Sequence, residues 1–298
     1  MNVFHYLRAS LVLLCIIINT LVLIWPLYLL TLAKMVFKGE QAQIRLSKGL
    51  VRIAETWMAI NHFAIDLFSR PHFHVEGLGE LDKNQWYFVT SNHQTWADIL
   101  VLQHNLNRRI PMLKFFLKQE LLKVPLLGHA WWALDFPFMK RYTRDELERN
   151  PSLRGKDLET TRKACEKFAY FPTSIMNFFE GTRFTEAKHA QQESPFKHLL
   201  KPKSGGTAFT LNAMGGKLAV LLDVTIIYPK DKPLSLMAYL GGALKDIQVI
   251  ITAHEIPAWA AQGDYQEDPE FRQRFQAWVS ELWQAKDDLI EARLNPNT

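Results

Sequence analysis

The sequence predicts an α/β protein: a largely parallel or mixed sheet flanked by helices, with an N-terminal membrane-anchoring helix and an adjacent amphipathic helix. Three observations lead there. Short apolar runs alternate with segments of helical periodicity from about residue 86 onward, the pattern of strands joined by crossover helices. Residues 9–33 contain no charged side chain and are rich in Leu, Ile and Val. Residues 40–70 place Leu46, Leu50, Ile53, Trp57 and Ile60 at three- and four-residue steps, with basic residues between them. The expected division is a membrane unit at 1–70 and one α/β domain at 71–298.

The first apolar stretch is long enough, at roughly 1.5 Å per residue, to cross a hydrocarbon core of about 30 Å. It exceeds a signal-peptide core, and no small-x-small cleavage site follows it. Trp25 and Tyr28 sit late in the stretch, where aromatics mark an interface, and Pro26 is placed to kink the helix. A spanning and a monotopic insertion both satisfy these features. Lys34, Lys38, Arg45, Lys48 and Arg52 follow it, whereas Arg8 precedes it. This asymmetry puts the body on the cytoplasmic face, the inner membrane in a bacterium. The second helix has two readings, one lying on the bilayer surface and one packed on the sheet.

Along the body, residues 86–91 read as a buried strand, and 96–106 as a helix with Thr95 as its N-cap candidate. Residues 113–122 read as strand then helix, 135–140 as a short strand, 158–171 as a helix and 174–179 as a buried strand. Two more strands are expected at 218–228 and 248–254, and an amphipathic helix at 269–294. Residues 142–157 form a polar loop interrupted by Asn150-Pro151.

The formal charge is +5 and no RNA- or DNA-binding signature occurs, so nucleic acid is not an expected partner. Cys15 and Cys165 are isolated and form neither a disulfide framework nor a zinc-ligand spacing. His72 and His74 would share one face of a strand, but no third ligand is evident, so no metal is expected.

Two motifs carry the chemistry. His93 and Asp98 lie in Asn92-His93-Gln94-Thr95-Trp96-Ala97-Asp98. On one continuous helix they would be about 140° apart. They meet only with His93 in the turn before the helix and Asp98 in its first turn, the boundary predicted here. A carboxylate so placed accepts an imidazole N–H, fixes the tautomer and raises basicity. The other ring nitrogen is then free to take a proton from a hydroxyl. Glu180-Gly181-Thr182-Arg183 follows a second apolar run. Gly181 permits a sharp turn and Arg183 offers a planar fork suited to phosphate, while Glu180 either binds a substrate hydroxyl or orients Arg183. Alone, this segment reads equally as a charged loop with an exposed ion pair.

In this order the motifs resemble those of the glycerolipid acyltransferase family, which includes the lysophosphatidic acid acyltransferases. The family's H-x-x-x-x-D signature matches His93 and Asp98, and its E-G-T-R block matches Glu180, Gly181, Thr182 and Arg183. Lys118-Gln119-Glu120-Leu121, with Val124-Pro125 and Gly128 after it, resembles a third block, and Phe138-Met139-Lys140-Arg141 a fourth. The run 179–189 is like the branch holding eukaryotic membrane-bound acyltransferases and some proteobacterial homologues. Two departures stand out: Thr225 where a proline is usual in the block 224–229, and Lys140 where an acid is common.

The resemblance implies direct acyl transfer, with His93 as base, Asp98 orienting it, and Arg183 with Lys118 and Arg141 on the acceptor phosphate. Glu180 would help position the glycerol. It implies a lysophospholipid acceptor and an acyl thioester, acyl-CoA or acyl-carrier protein, as co-substrate. It implies membrane lipids as surroundings, with no metal and no cofactor. Backbone N–H groups at the helix start are candidate oxyanion donors. Trp131 and Trp132 either line an acyl tunnel or pack the core. No Gly-x-Ser-x-Gly elbow is present to support a serine acyl-enzyme. Remodelling of another lysophospholipid, such as lysocardiolipin, and a catalytically silent lipid binder are the alternatives.

Overall fold

The computed structural model describes residues 1–79, 81–139, 149, 165, 168 and 171–295. Eight strands occur among them: β1 (Phe73–Glu76), β2 (Tyr87–Ser91), β3 (Leu113–Phe115), β4 (Leu117–Lys118), β5 (Phe138–Met139), β6 (Ser174–Met176), β7 (Val220–Ile227) and β8 (Ile247–Glu255). Six form the main sheet, in the order β1-β8-β7-β2-β6-β3, and β4 and β5 form a separate ribbon. Every pairing in the main sheet is parallel except β7 with β8. The expected mixed, largely parallel sheet is therefore observed.

Burial on both faces explains why its strands read as apolar runs rather than alternating ones. β2 is buried at every position. Successive residues point to opposite faces, so Tyr87 and Val89 join one apolar cluster and Phe88 the other. The first cluster also takes Val101 and Leu102 from α3 (Ala97–Leu106), and the second takes Phe275, Val279 and Trp283 from the long C-terminal helix. That helix spans Pro269–Leu294 as expected. Its start is set by Asp268, whose carboxylate accepts the N–H groups of Glu270 and Phe271, and by Pro269 in the first turn.

The apolar N-terminus forms one 34-residue helix, α1 (Val3–Val36), with Pro26 inside it. It packs on α2 (Glu40–Phe68) through a polar clasp. Asn19 Nδ2 donates to Asn61 Oδ1 at 2.7 Å and to the Trp57 carbonyl at 2.9 Å, and Trp57 Nε1 donates to Thr20 Oγ1 at 2.9 Å. The pair also shares the body's core: Ala9, Val12 and Ile65 belong to the same cluster as Tyr87 and Val224. The opposite stripe of α1 is bare, with Leu7, Leu14, Leu21, Trp25 and Leu32 exposed, and α2 also exposes Ile60, Phe63 and Leu67. An apolar surface of that extent marks membrane association.

The structure alters several expected details. The strand at 174–179 stops at Met176, because the chain turns there toward Glu180. Trp96, not Thr95, occupies the N-cap position of α3. Residues 113–122 break into β3, β4 and a 3-10 turn at Gln119–Lys123. The polar loop at 142–157 and the helix expected at 158–171 fall almost wholly outside the described residues.

Candidate active site

The C-terminal ends of the parallel strands β2, β6 and β7 lie side by side, the edge where open α/β sheets place ligands. His93 follows β2, Glu180 follows β6 and Tyr228 follows β7. Asn92 continues the β2–β7 pairing beyond the strand: its side-chain amide donates to the Ile226 carbonyl at 2.8 Å and accepts the Ile226 N–H at 2.9 Å. His93 thus leaves the sheet from a fixed point.

The predicted His93–Asp98 contact is present, with Nδ1 and Oδ2 2.9 Å apart. Asp98 is fully buried in the first turn of α3. Its Oδ2 also accepts the N–H groups of Gln94 at 2.6 Å and Thr95 at 2.9 Å, and its Oδ1 accepts the Tyr228 hydroxyl at 2.7 Å. Burial, with the Asp98 charge beside it, holds the Tyr228 phenol well above its ordinary pKa, which keeps it a donor. A carboxylate only accepts, so the arrangement assigns the proton on His93 to Nδ1. Nε2 has no hydrogen-bond partner among the described residues, and the side chain keeps 13% exposure. The ring stacks on Phe178, with centroids 3.9 Å apart and 13° between planes. The N–H groups of Gln94 and Thr95 are committed to Asp98.

Glu180 has a role the sequence did not reveal. It is fully buried and points inward. Its Oε1 accepts the His93 N–H at 2.7 Å and its Oε2 accepts the Leu200 N–H at 3.1 Å. The His93 carbonyl in turn accepts the Phe184 N–H at 2.7 Å. The second loop therefore grips His93 by both backbone polar groups. Burial pushes the Glu180 carboxyl up to about 7, against the opposing pull of the two N–H donors and the Lys286 ammonium.

Gly181 sits at φ +66°, a left-handed conformation open to glycine. Thr182 is half-buried and its hydroxyl accepts from Lys188 Nζ at 2.7 Å. Arg183 is exposed, with its guanidinium 4.9 Å from the centre of the exposed Trp96 ring. The two motifs therefore meet on both their inner and outer sides.

Lys286, fully buried on the C-terminal helix, supports this edge from beneath. Its Nζ lies 2.7 Å from Asp223 Oδ1 and donates to the Val224 carbonyl at 2.7 Å and to Thr225 Oγ1 at 3.2 Å. Thr225, the departure from the usual proline, thus supplies an oxygen to a buried ammonium. Sequence periodicity could not single out Tyr228 or Lys286, because both lie in segments that read as ordinary core.

The other expected residues lie apart. Lys118 is exposed on the β4–β5 ribbon and, among the described residues, makes no ion pair with the loops. Arg141 falls outside the described residues. Trp131 lines an apolar cavity of about 100 Å³ between α1, α2 and α4 (Leu127–Ala133), whereas Trp132 is exposed. His72 and His74 gain a third group, Asp246, with His72 Nδ1 3.2 Å from Asp246 Oδ1, and all three are exposed at the sheet edge.

The chain is similar to known proteins in sequence and in fold. The chain is 28% identical over 188 residues to the 1-acyl-sn-glycerol-3-phosphate acyltransferase gamma of Mus musculus, covering 60% of this chain and 45% of that protein. It is 25% identical over 293 residues to the delta protein of Homo sapiens, covering 93% of this chain and 69% of that one. The chain thus spans less than half of the gamma protein's length. The crystal structure of the 1-acyl-sn-glycerophosphate (LPA) acyltransferase PlsC from Thermotoga maritima matches with a TM-score of 0.54, covering 97% of this chain and 98% of that one. At 18% identity this likeness establishes the fold. The sequence profile of the Acyltransferase family matches residues 72–228, more than half of the chain and the span that holds both loops, so the chain belongs to the Acyltransferase family.

Proposed function

We propose that the protein transfers a fatty acyl chain from an acyl thioester to the free hydroxyl of lysophosphatidic acid, giving phosphatidic acid. The observation that carries this reading is the Asp98-held imidazole, with Nε2 uncommitted, beside a loop that presents Arg183. His93 Nε2 takes the hydroxyl proton, and the alkoxide oxygen attacks the thioester carbonyl carbon. The C–S bond then breaks, and the imidazolium returns its proton to the thiolate. The thioester is already activated, so a base suffices. The names of the relatives favour a lysophosphatidate acceptor. The apolar cavity between α1, α2 and α4 offers a place for part of an acyl chain.

Purified, detergent-solubilised protein should convert lysophosphatidic acid and a long-chain acyl-CoA or acyl-carrier protein to phosphatidic acid. Arg183→Met should raise the acceptor KM about tenfold with kcat largely retained. Turnover only with a different lysophospholipid would replace the acceptor, and silence across acceptors and donors would favour a lipid binder.

The body is assigned to the cytoplasmic face, from the basic residues that follow α1. We further assign α1 to one leaflet, because the body touches it near both ends. A side chain on Gly241 would strike the His5 carbonyl, and Lys34 Nζ pairs with Asp135 at 2.9 Å. Cysteines placed at Val3 and Phe37, in a background without Cys15 and Cys165, should react with an impermeant maleimide from the same side. Labelling from opposite sides would establish a span instead.

A further inference from the structure

We propose that Lys203 is the second cation of the acceptor site, acting with Arg183 to select a phosphate monoester over a phosphodiester. The proposal rests on the acyl-transfer reading above and deepens it.

Lys203 follows the two catalytic motifs in sequence and returns to them in space. Its N–H donates to the Phe179 carbonyl at 2.6 Å, which fixes its backbone beside the Glu180–Arg183 turn. Its side chain lies along Gly181: a Cβ on that glycine would sit 3.2 Å from Lys203 Cδ and 3.6 Å from Nζ. Glycine at 181 thus serves two needs, the left-handed turn and the room for this lysine.

The charges around the turn are divided by their partners. Lys188 is committed, with Nζ donating to Thr182 Oγ1 and to the Arg183 carbonyl at 2.9 Å, so it props the loop. Glu180, the acid within the motif, is buried and faces inward to the His93 and Leu200 N–H groups. It does not offer its carboxylate to the outer face. Lys203 and Arg183 are both exposed, and neither has an ion-pair partner among the described residues. Lys203 Nζ thus lies beside Gly181, two positions before Arg183, at a turn whose own carboxylate is taken up inside.

A phosphate monoester carries close to two negative charges at neutral pH and three unesterified oxygens, enough to engage both groups. A phosphodiester carries one charge and two free oxygens, so the second cation adds less to its binding. The expected selectivity is therefore for lysophosphatidic acid over head-grouped lysolipids.

The test compares full-length wild type, Lys203→Met and Lys203→Arg in detergent, with lysophosphatidic acid and lysophosphatidylglycerol as acceptors at saturating acyl thioester. Lys203→Met should raise the KM for lysophosphatidic acid about tenfold. The KM for lysophosphatidylglycerol, the donor KM and kcat should change less than about threefold. Lys203→Arg should recover most of the loss. An unchanged KM for lysophosphatidic acid, or an equal rise for both acceptors, would overturn the proposal.

A second arm measures equilibrium binding of lysophosphatidic acid without donor, so it does not require turnover. Binding weakened about tenfold by Lys203→Met supports the assignment even if wild type acylates neither acceptor, which would instead defeat the acyl-transfer reading. Equal binding by wild type and Lys203→Met, or none by wild type, rejects the Lys203 assignment.

Discussion

Replacing His93 with Ala should lower kcat for acyl transfer about 10³-fold without unfolding the protein. Nε2 is the nitrogen left without a partner by the Asp98 contact, and the ring sits at the carboxyl edge of β2. The imidazole is partly exposed and stacks on one face with Phe178. The anchoring contacts to Glu180 and Phe184 belong to the His93 backbone and survive the substitution. Asp98→Asn should act differently. Asp98 accepts from four groups, and an amide turned either way presents its NH₂ to donors that need an oxygen. It should therefore lose activity about 10²- to 10³-fold and also melt earlier. Initial rates and thermal melts on matched samples separate the two cases. Turnover retained in His93→Ala at equal folded concentration would sink the proposed mechanism.

These contrasts show which features the sequence made legible. The His93–Asp98 contact could be read because both partners lie within one strand–turn–helix boundary. Buried strands such as β2 and β7 were legible as apolar runs, and the C-terminal helix by Asp268-Pro269 and its periodic aromatics. Long-range polar contacts were not. Tyr228 meets Asp98 across 130 positions and Lys286 meets Thr225 across 61, and no local pattern encodes either. The helix at Gly205–Met214 opens on two glycines, poor helix formers that hide its start. β1 is a four-residue edge strand of alternating burial; the strand expected around His72 and His74 falls there, but no apolar run marks its extent. Glu180 was legible as important but not in its direction. Its acid–Gly–Arg setting reads as a surface loop, whereas the fold turns the carboxylate inward to hold the His93 backbone.

That inward turn makes Glu180 the position with the next largest expected effect. Glu180→Ala leaves the N–H groups of His93 and Leu200 without an acceptor. An unsatisfied buried group costs about 1–3 kcal/mol, so a loss of about 2–4 kcal/mol in stability is expected. His93 would also lose its grip on the second loop, lowering kcat about 10²-fold through misplacement of the base. Glu180→Gln should be milder, since one oxygen still accepts. It also isolates a pH effect. Burial raises the folded pKa of Glu180 to about 7 from an ordinary value of 4.5. The folded state therefore holds a proton that the unfolded chain has released. Its contribution to stability is complete below pH 4.5 and is lost as pH rises through about 7. The full swing is about 3 kcal/mol. Unfolding followed from pH 4 to pH 8.5 should show wild type losing that increment relative to Glu180→Gln, in which position 180 does not titrate. Parallel pH curves for the two proteins would show that Glu180 titrates alike folded and unfolded, and would reject this account of its burial. If Glu180→Ala kept full kcat while losing stability, the carboxylate would be a fold support with no part in placing His93.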